Sequence, residues 1–192
     1  MTKLNKDFYT RDALVVAKEL IGKYLVREIN GHKLIAMITE TEAYKATDKA
    51  CHAYNYNLTP RTSTIFKAGG IAYVYFIYGM YNCFNVVADK SGEPAAVLIR
   101  GLEPVSDVEY MSQLRYNKPY NDLTKYQLKN FLNGPGKLCM AYSITRELNG
   151  ENLLGNNLYI TEGQNITQIK QGKRIGIDYA EEAKDFLWRF YL

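Results

Sequence analysis

Tyr24-Leu25-Val26-Arg27-Glu28-Ile29-Asn30-Gly31 opens the clearest fold signal in the sequence. Two largely apolar stretches, residues 24–29 and 33–42, flank the dipeptide Asn30-Gly31. Asn and Gly tolerate the positive φ angles of a two-residue type I′ turn, so the pattern predicts a β-hairpin. The chain therefore starts to build an antiparallel sheet near its beginning.

Helical spacing appears on both sides of this hairpin. Residues 12–21 place five apolar side chains on one helical stripe, with Thr10 as the expected N-cap and Gly22 as the end. Gly134-Pro135-Gly136 opens another short helix. Capping-box pairs predict two further helix starts, one at Ser106 with Glu109 and one at Thr124 with Gln127.

Short apolar stretches predict the remaining strands, at residues 71–76, 81–87, 95–100, 158–161 and 175–179, and residues 180–190 predict a helical turn with an extended tail. Strands early and helices in the middle favour an α+β fold, with a curved, mainly antiparallel sheet and helices packed around it. Because the sequence has neither an internal repeat nor a Pro/Gly/Ser-rich linker, we expect one domain over residues 1–192.

The composition is that of an ordinary folded chain with a local excess of positive charge. Its 192 residues are 47% hydrophobic and 23% charged, and the net charge is +4. Six of the basic residues and a single acid, Asp122, lie between Arg115 and Arg146, so this segment carries +5 and the remainder −1. The charge excludes a polycation but predicts a regional basic surface.

The sequence also predicts where the protein works. Three cysteines without a C-x-x-C spacing argue against a disulfide framework or a zinc site, which indicates a reducing cytoplasm. The first seven residues contain no apolar run of a secretory signal. Residues 68–88 are uncharged, but their four tyrosines, two asparagines and three glycines favour buried strands over a membrane span.

Two carboxylates share one strand face in Thr39-Glu40-Thr41-Glu42-Ala43-Tyr44, because alternate residues of a strand point the same way. They are either an exposed polar strand end or, if partly desolvated, a site for a general base that activates water. His52 follows closely, and it is either a hydrogen-bonded loop histidine or a residue that stacks on a ligand.

Tyrosines are concentrated in Tyr73-Val74-Tyr75-Phe76-Ile77-Tyr78-Gly79-Met80-Tyr81. Each buried hydroxyl needs a hydrogen-bond partner, so these rings form either an aromatic core or the wall of a cavity where planar groups such as nucleobases stack. Asn133-Gly134-Pro135-Gly136-Lys137 is either a helix-breaking turn or a helix entry that contacts phosphodiesters. It lacks the spacing of a P-loop, so we do not expect a nucleoside triphosphate to bind.

Taken in order along nearly the whole chain, these motifs closely resemble those of the alkyladenine (3-methyladenine) DNA glycosylases. They are Glu40 to Tyr44, His52, Thr59-Pro60-Arg61, Tyr73 to Tyr81, Asn85, Leu98-Ile99-Arg100-Gly101-Leu102-Glu103-Pro104, Asn133 to Cys139 and Arg189-Phe190-Tyr191. The sequence departs from the family pattern at Tyr56-Asn57-Leu58, where relatives often carry Gly-Arg, and in a Tyr44 to His52 spacing one residue shorter than usual.

The resemblance implies a monofunctional enzyme of base excision repair. It implies that Glu42 activates a water while Arg100 helps to hold both, and that no covalent intermediate, metal or cofactor is involved. Tyr44, His52 and Tyr75 would sandwich an extruded base, with Asn85 at the pocket floor. Tyr78 would wedge into the duplex, and Arg61, Gly136 and Lys137 would contact DNA.

The implied partner is double-stranded DNA that contains alkylated or deaminated purines, such as 3-methyladenine, 7-methylguanine, hypoxanthine or etheno-adenine. We expect a monomer in the cytoplasm, associated with the nucleoid and not with a membrane. The alternative function is a binding module that recognises damaged or unpaired bases without hydrolysis, which would need the rings and cations but not Glu42.

Overall fold

An eight-stranded sheet organises the protein. The computed structural model describes residues 1–192. The strands are β1 (Tyr24–Ile29), β2 (His32–Lys45), β3 (Ala72–Ile77), β4 (Tyr81–Val87), β5 (Ala95–Ser106), β6 (Leu158–Thr161), β7 (Lys170–Gly172) and β8 (Arg189–Tyr191). The main order is β3-β4-β5-β2-β1-β6, with β8 beside β2 and β7 beside β8, and the strand pairs are antiparallel. The prediction of an α+β fold on a mainly antiparallel sheet is confirmed.

The predicted hairpin forms β1 and β2. Asn30 and Gly31 occupy the turn with φ angles of 51° and 80°, and Ile29 pairs with His32. β2 continues three residues beyond the predicted end to Lys45, because its second half pairs with β5. The hairpin therefore lies at the centre of the sheet, and β2 is its longest strand.

The three strands β3, β4 and β5 use their two faces differently. Residues of one face, including Val74, Phe84, Val86, Val97 and Ile99, belong to a core of 35 buried residues. Alternate residues on the opposite face point away from that core and leave space for the cavity described below. Because side chains alternate along these strands, one face of the strands packs in the core and the other face lines the cavity.

Five short helices surround the sheet: α1 (Lys6–Tyr9), α2 (Ala13–Glu19), α3 (Val108–Tyr116), α4 (Lys125–Lys129) and α5 (Pro135–Ala141). The capping box of Thr124 and Gln127 at α4 is confirmed. Asp12, not Thr10, caps α2, since its side chain accepts from the Leu14 N–H. The predicted box at Ser106 is wrong because Ser106 pairs with Ile35 as the last residue of β5.

The C-terminal segment does not form the strand predicted at residues 175–179. These residues bend instead, because the Ile175 N–H is bonded to a buried carboxylate and Ile177 packs on a small cluster with Ala180 and Ala183. A 3₁₀ helix (Glu181–Asp185) and β8 follow, which matches the predicted turn and extended tail. Separately, none of the helices has the length and apolar character that crossing a membrane requires.

Candidate active site

A cavity of about 660 Å³ opens on the face of β3, β4 and β5 that points away from the main core. The first turn of α5 forms one wall, and residues 175–179 form another. This volume is typical of ligand pockets, and the lining is mainly apolar and aromatic. The floor consists of Tyr73, Tyr75, Cys83, Asn85, Ala96, Leu98 and Arg100.

Two β-bulges between β2 and β5 aim Arg100 at this cavity. Pairing runs from Ile38 opposite Leu102 to Glu40 opposite Gly101, and then to Thr41 opposite Ile99. Arg100 therefore has no opposite residue and is the extra residue of its strand. Bulges bend a strand and re-aim its side chains, and here the guanidinium turns toward the carboxylates of β2.

Glu42 is fully buried immediately behind the cavity wall. Its Oε1 accepts from the Ile175 N–H at 2.8 Å, and its Oε2 accepts from the Tyr44 hydroxyl at 2.7 Å. Arg100 approaches both oxygens at 3.4 Å. All three donors line the cavity, although Glu42 itself does not. A carboxylate has about four acceptor positions, and these three donors do not occupy all of them.

Burial raises the pKa of Glu42 above its ordinary value, while Arg100, the Tyr44 hydroxyl and the Ile175 N–H act in the opposite direction. Burial disfavours the charged form and makes the carboxylate a better proton acceptor than an exposed one. The geometry therefore combines a raised basicity with donors that keep the carboxylate in place.

A second carboxylate balances the charge around Arg100. Glu40 Oε1 accepts from Arg100 Nε at 3.3 Å and from Arg189 Nη1 at 3.2 Å. Arg189 reaches Glu40 because β8 pairs with β2, and in this pairing Arg189 lies opposite Glu42. Two carboxylates and two guanidiniums thus alternate in a compact network that holds Arg100 between Glu40 and Glu42.

Tyr44, His52 and Tyr75, which are predicted to bind a base, line the same cavity, and His52 and Tyr75 are in direct contact. The His52 ring meets the Tyr75 ring edge to face at 4.6 Å between centroids, and His52 Nδ1 is 2.9 Å from the Tyr73 hydroxyl. Burial, followed by the nearby Arg61, lowers the pKa of His52 to about 4. Burial also raises the pKa values of Tyr44 and Tyr75, so the site presents neutral rings at physiological pH.

Asn85 lies on the cavity floor opposite Tyr73 in the β3-β4 pair. It is buried, and its amide nitrogen donates to the carbonyl of Tyr73 at 3.1 Å and to that of Cys83 at 3.4 Å. These bonds fix the orientation of the side chain, because an amide nitrogen donates while its oxygen only accepts.

Exposed aromatic residues stand at the cavity mouth. Tyr78 is 78% exposed at the tip of the β3-β4 hairpin, where its φ angle of 55° turns the chain back. Tyr179, on the C-terminal segment, is 69% exposed and also lines the cavity. Both rings are therefore accessible at the same opening of the protein.

The start of α5 and the loop that contains Arg61 complete the rim. Lys137 Nζ donates to Asn130 Oδ1 at 2.6 Å, and burial lowers its pKa, with Arg115 as a second cause. A Cβ on Gly136 would lie 3.0 Å from the Tyr81 ring, so glycine permits α5 to approach the hairpin. Arg61 is exposed, 3.3 Å from His52 Nε2 and 5.5 Å above the Tyr75 ring.

The sequence of this chain matches a known protein family. A family model described as methylpurine-DNA glycosylase matches residues 7–192. The chain belongs to the methylpurine-DNA glycosylase family. It is therefore a DNA glycosylase, a hydrolase of DNA repair, as the sequence motifs implied.

Three similar proteins match this chain over nearly the full length of both sequences. A protein of Clostridium acetobutylicum is 56% identical over 99% of this chain and 94% of its own, and one of Clostridium novyi is 53% identical over 100% and 96%. A third, from Desulfitobacterium hafniense, is 52% identical over 100% of this chain and 96% of its own. Each carries the name "Putative 3-methyladenine DNA glycosylase".

Eight of the ten site residues predicted for this DNA glycosylase line one cavity: Tyr44, His52, Tyr75, Tyr78, Asn85, Arg100, Gly136 and Lys137. Glu42 lies behind the cavity wall, where it accepts from the hydroxyl of the lining residue Tyr44. Arg61 contacts the lining residue His52. The basic segment 115–146 is divided, since Arg115 and Lys137 line the cavity whereas its other four basic residues are exposed.

Sequence reasoning missed four residues that lie in the cavity wall or next to it. The sequence predicts a strand for Ile175 and Tyr179, and it assigns no role to Asp48 or Arg174. Ile175 acts through its backbone, which leaves no signal in a side chain. Asp48 and Arg174 are 126 positions apart but form a fully buried ion pair. A charged pair far apart in sequence offers no local pattern, so only the fold reveals it.

Proposed function

We propose that this protein is a monofunctional DNA glycosylase that removes alkylated or deaminated purines from duplex DNA, with Glu42 as the general base. The substrates are damaged purines such as 3-methyladenine, 7-methylguanine, hypoxanthine and etheno-adenine. The protein acts as a monomer and as one domain. The observation that carries the proposal is the buried carboxylate of Glu42 directly behind an aromatic cavity.

The reaction needs only a water and a base. A water bonded to Glu42 beside Arg100 attacks the anomeric carbon of the deoxyribose as the bond from that carbon to the purine nitrogen breaks. The bonding electron pair leaves with the purine, and Glu42 takes the proton of the water. The raised pKa of Glu42 supports this role, because it brings the carboxylate closer to the working pH. The carboxylate of Glu42 also places negative charge near the developing sugar cation.

Base recognition uses the neutral rings of the cavity. Tyr44, His52 and Tyr75 stack on the extruded purine, and a positively charged alkylated purine gains a cation–π attraction on the tyrosine faces. His52 stays uncharged because its pKa is lowered to about 4, so it does not repel such a base. Asn85, held by two carbonyls, restricts the floor of the cavity and disfavours normal guanine.

Duplex DNA lies across the mouth of the cavity. Tyr78 fills the gap that the extruded nucleotide leaves in the base stack, while Arg61, Lys137 and the backbone at Gly136 hold phosphates. Extrusion costs a few kcal/mol and is least costly for damaged or mispaired bases, so part of the selectivity precedes binding in the cavity.

Glu42→Gln tests the chemistry. Base release from a duplex with one 3-methyladenine analogue or hypoxanthine is expected to fall about 10²- to 10⁴-fold, because the general base is lost, while duplex binding persists. Glu40→Gln is the matched control, since it changes a carboxylate in the same network without changing the base. Unchanged release by Glu42→Gln would remove Glu42 from the mechanism.

An alkali assay separates this proposal from a bifunctional enzyme. Strand breaks are expected only after alkali treatment of the reacted duplex. Spontaneous breaks would instead indicate a lysine nucleophile that forms a covalent intermediate. Binding of lesion duplexes by the wild-type protein without any base release would support a binding module instead.

A further inference from the structure

A buried ion pair next to the cavity has no part in the chemistry described above. The guanidinium of Arg174 and the carboxylate of Asp48 are both fully buried and form two parallel hydrogen bonds, one of them 2.9 Å long between Arg174 Nη2 and Asp48 Oδ1. Arg174 also donates to the carbonyls of Ala43 at 2.8 Å and of Ala183 at 3.0 Å. Removing two charges from water is costly, so a pair of this kind calls for a functional explanation.

The contacts of Arg174 lead to both close donors of Glu42. Arg174 immediately precedes Ile175, whose N–H donates to Glu42 Oε1 at 2.8 Å. Its guanidinium carbon also lies 4.7 Å from the centre of the Tyr44 ring, and the hydroxyl of Tyr44 donates to Glu42 Oε2 at 2.7 Å. The same guanidinium carbon also lies 5.1 Å from the centre of the Trp188 ring.

The ion pair ties together three segments around the cavity. Asp48 belongs to the loop after β2, Ala43 to β2 itself, and Ala183 to the C-terminal 3₁₀ helix. Asp48 is fixed in turn, because its Oδ1 accepts from the Ala50 N–H at 2.8 Å. The guanidinium therefore gives the segment that carries Ile175 a second buried polar anchor on β2, next to the bond from the Ile175 N–H to Glu42.

We propose that Arg174 and Asp48 are positioning residues of the hydrolytic site, whose ion pair holds the Ile175 N–H and the Tyr44 hydroxyl on the carboxylate of Glu42. This inference rests on the proposed role of Glu42 as general base. The two donors stabilise the ionised carboxylate against its burial, so they set the pH at which Glu42 accepts a proton. Neither Arg174 nor Asp48 touches the substrate.

The pH dependence of base release under single-turnover conditions tests this role. In Arg174→Lys and Asp48→Asn, the donors lose their fixed positions, and the acidic limb of the profile is expected to move about one pH unit higher. One hydrogen bond to a charged group is worth about a tenfold change in an equilibrium, which corresponds to that shift. The other charged groups near Glu42, namely Arg100, Glu40 and Arg189, are unchanged in both variants.

Two further variants separate positioning from stability. Arg27→Lys alters another buried arginine, bonded to the carbonyl of Asn157 at 3.0 Å and remote from the cavity, and it is expected to lower stability without moving the acidic limb. Asp48→Leu/Arg174→Met replaces the ion pair by apolar side chains, which can restore stability, yet the limb is expected to stay shifted. Affinity for a duplex with an uncleavable abasic analogue is expected to stay unchanged in all these variants.

The outcomes distinguish the two proposals. If Glu42→Gln is inactive but the profiles of Arg174→Lys and Asp48→Asn coincide with that of the wild type, the positioning role is wrong and the general base stands. A shift in Arg27→Lys equal to that in Asp48→Asn would likewise overturn the positioning role, since it would reflect stability alone. If Glu42→Gln keeps full activity, the proposed function itself fails.

Discussion

The proposed role of Glu42 as general base would come at the expense of stability. Its carboxylate is fully buried, and the largest influence on its pKa is the loss of solvation. Arg100, Tyr44 and Ile175 offset only part of that effect. Functional groups that are poorly solvated in the folded state lower its stability, and a neutral residue of the same shape relieves that cost.

Glu42→Gln is therefore expected to raise the midpoint of thermal unfolding at pH 7 to 8. Because the folded-state pKa of Glu42 is raised, its contribution to stability is fully present below the unfolded value of 4.5 and is lost as the pH rises through the folded value. Arg100 keeps Glu40 as a partner in the variant. Unfolding midpoints of both proteins across pH 4 to 8 provide the measurement, and a stability difference that does not change with pH would contradict this explanation.

His52 is expected to titrate far below an ordinary histidine. Its pKa of about 4 results first from burial and second from Arg61, so Arg61→Gln should raise it only part of the way toward 6.5. Since the folded-state pKa is lowered, the contribution of His52 to stability is present above 6.5 and is lost as the pH falls toward 4. NMR titration of the histidine ring protons measures the pKa of His52 in the wild type and in Arg61→Gln. The variant His32→Gln removes the only other histidine and so assigns the signals.

Tyr78→Ala is expected to weaken the binding of lesion duplexes about tenfold, because stacking of one aromatic ring is worth about 1–3 kcal/mol. Its side chain is 78% exposed, so the unfolding midpoint should not change. Fluorescence anisotropy with an uncleavable duplex measures the affinity. Tyr126→Ala, on a ring that is 75% exposed and does not line the cavity, is the matched control.

At the scale of elements, the site depends on interruptions of regular structure. The bulge at Arg100 turns its guanidinium toward Glu40 and Glu42. Next to this bulge, Asn133 bridges to Gly101 and the Gly134 N–H donates to the Arg100 carbonyl at 2.8 Å. These contacts continue the sheet into the start of α5 and bring that helix to the cavity, against the β3-β4 hairpin.

Gly136→Ala is expected to disturb this contact between α5 and the hairpin. The added Cβ would meet the Tyr81 ring at 3.0 Å, so the ring or the helix must move, at a cost of about 1–3 kcal/mol. Denaturant unfolding measures the loss of stability, and lesion-duplex affinity should fall with it. Gly136→Ala/Tyr81→Ala removes the ring and leaves only the Cβ of residue 81, at 3.1 Å from the added Cβ, so the combined loss should be smaller than additive. Additive losses from the two substitutions would show that the ring is not the cause.

At the scale of the whole molecule, exposed tyrosines and basic side chains lie together around the opening of the cavity. Both exposed tyrosines at the mouth, Tyr78 and Tyr179, lie near the half-buried Lys137 and Arg115. The net charge of +4 is small, so attraction of DNA depends on where the cations lie and not on their total.

Lys137→Ala is expected to reduce the slope of log K against log salt by about one, because one phosphate contact releases about one counterion. The affinity loss should be similar for lesion and normal duplexes, since a phosphate contact carries no base information. Binding titrations from 50 to 200 mM salt provide the test. Lys18→Ala on α2, a helix that does not line the cavity, should leave the slope unchanged, and an equal effect there would show that only net charge matters.

The sequence by itself determined the α+β class, the central hairpin at Asn30-Gly31 and most strands, because turn residues and a period of two act locally. It also marked most of the site, since Tyr73 to Tyr81, Glu42 and Arg100 stand in recognisable motifs. The tertiary structure alone decided that Ser106 ends a strand, that residues 175–179 bend around Glu42, and that Arg174 pairs with Asp48. These features depend on contacts between distant segments, where long-range burial and hydrogen bonding outweigh local preference.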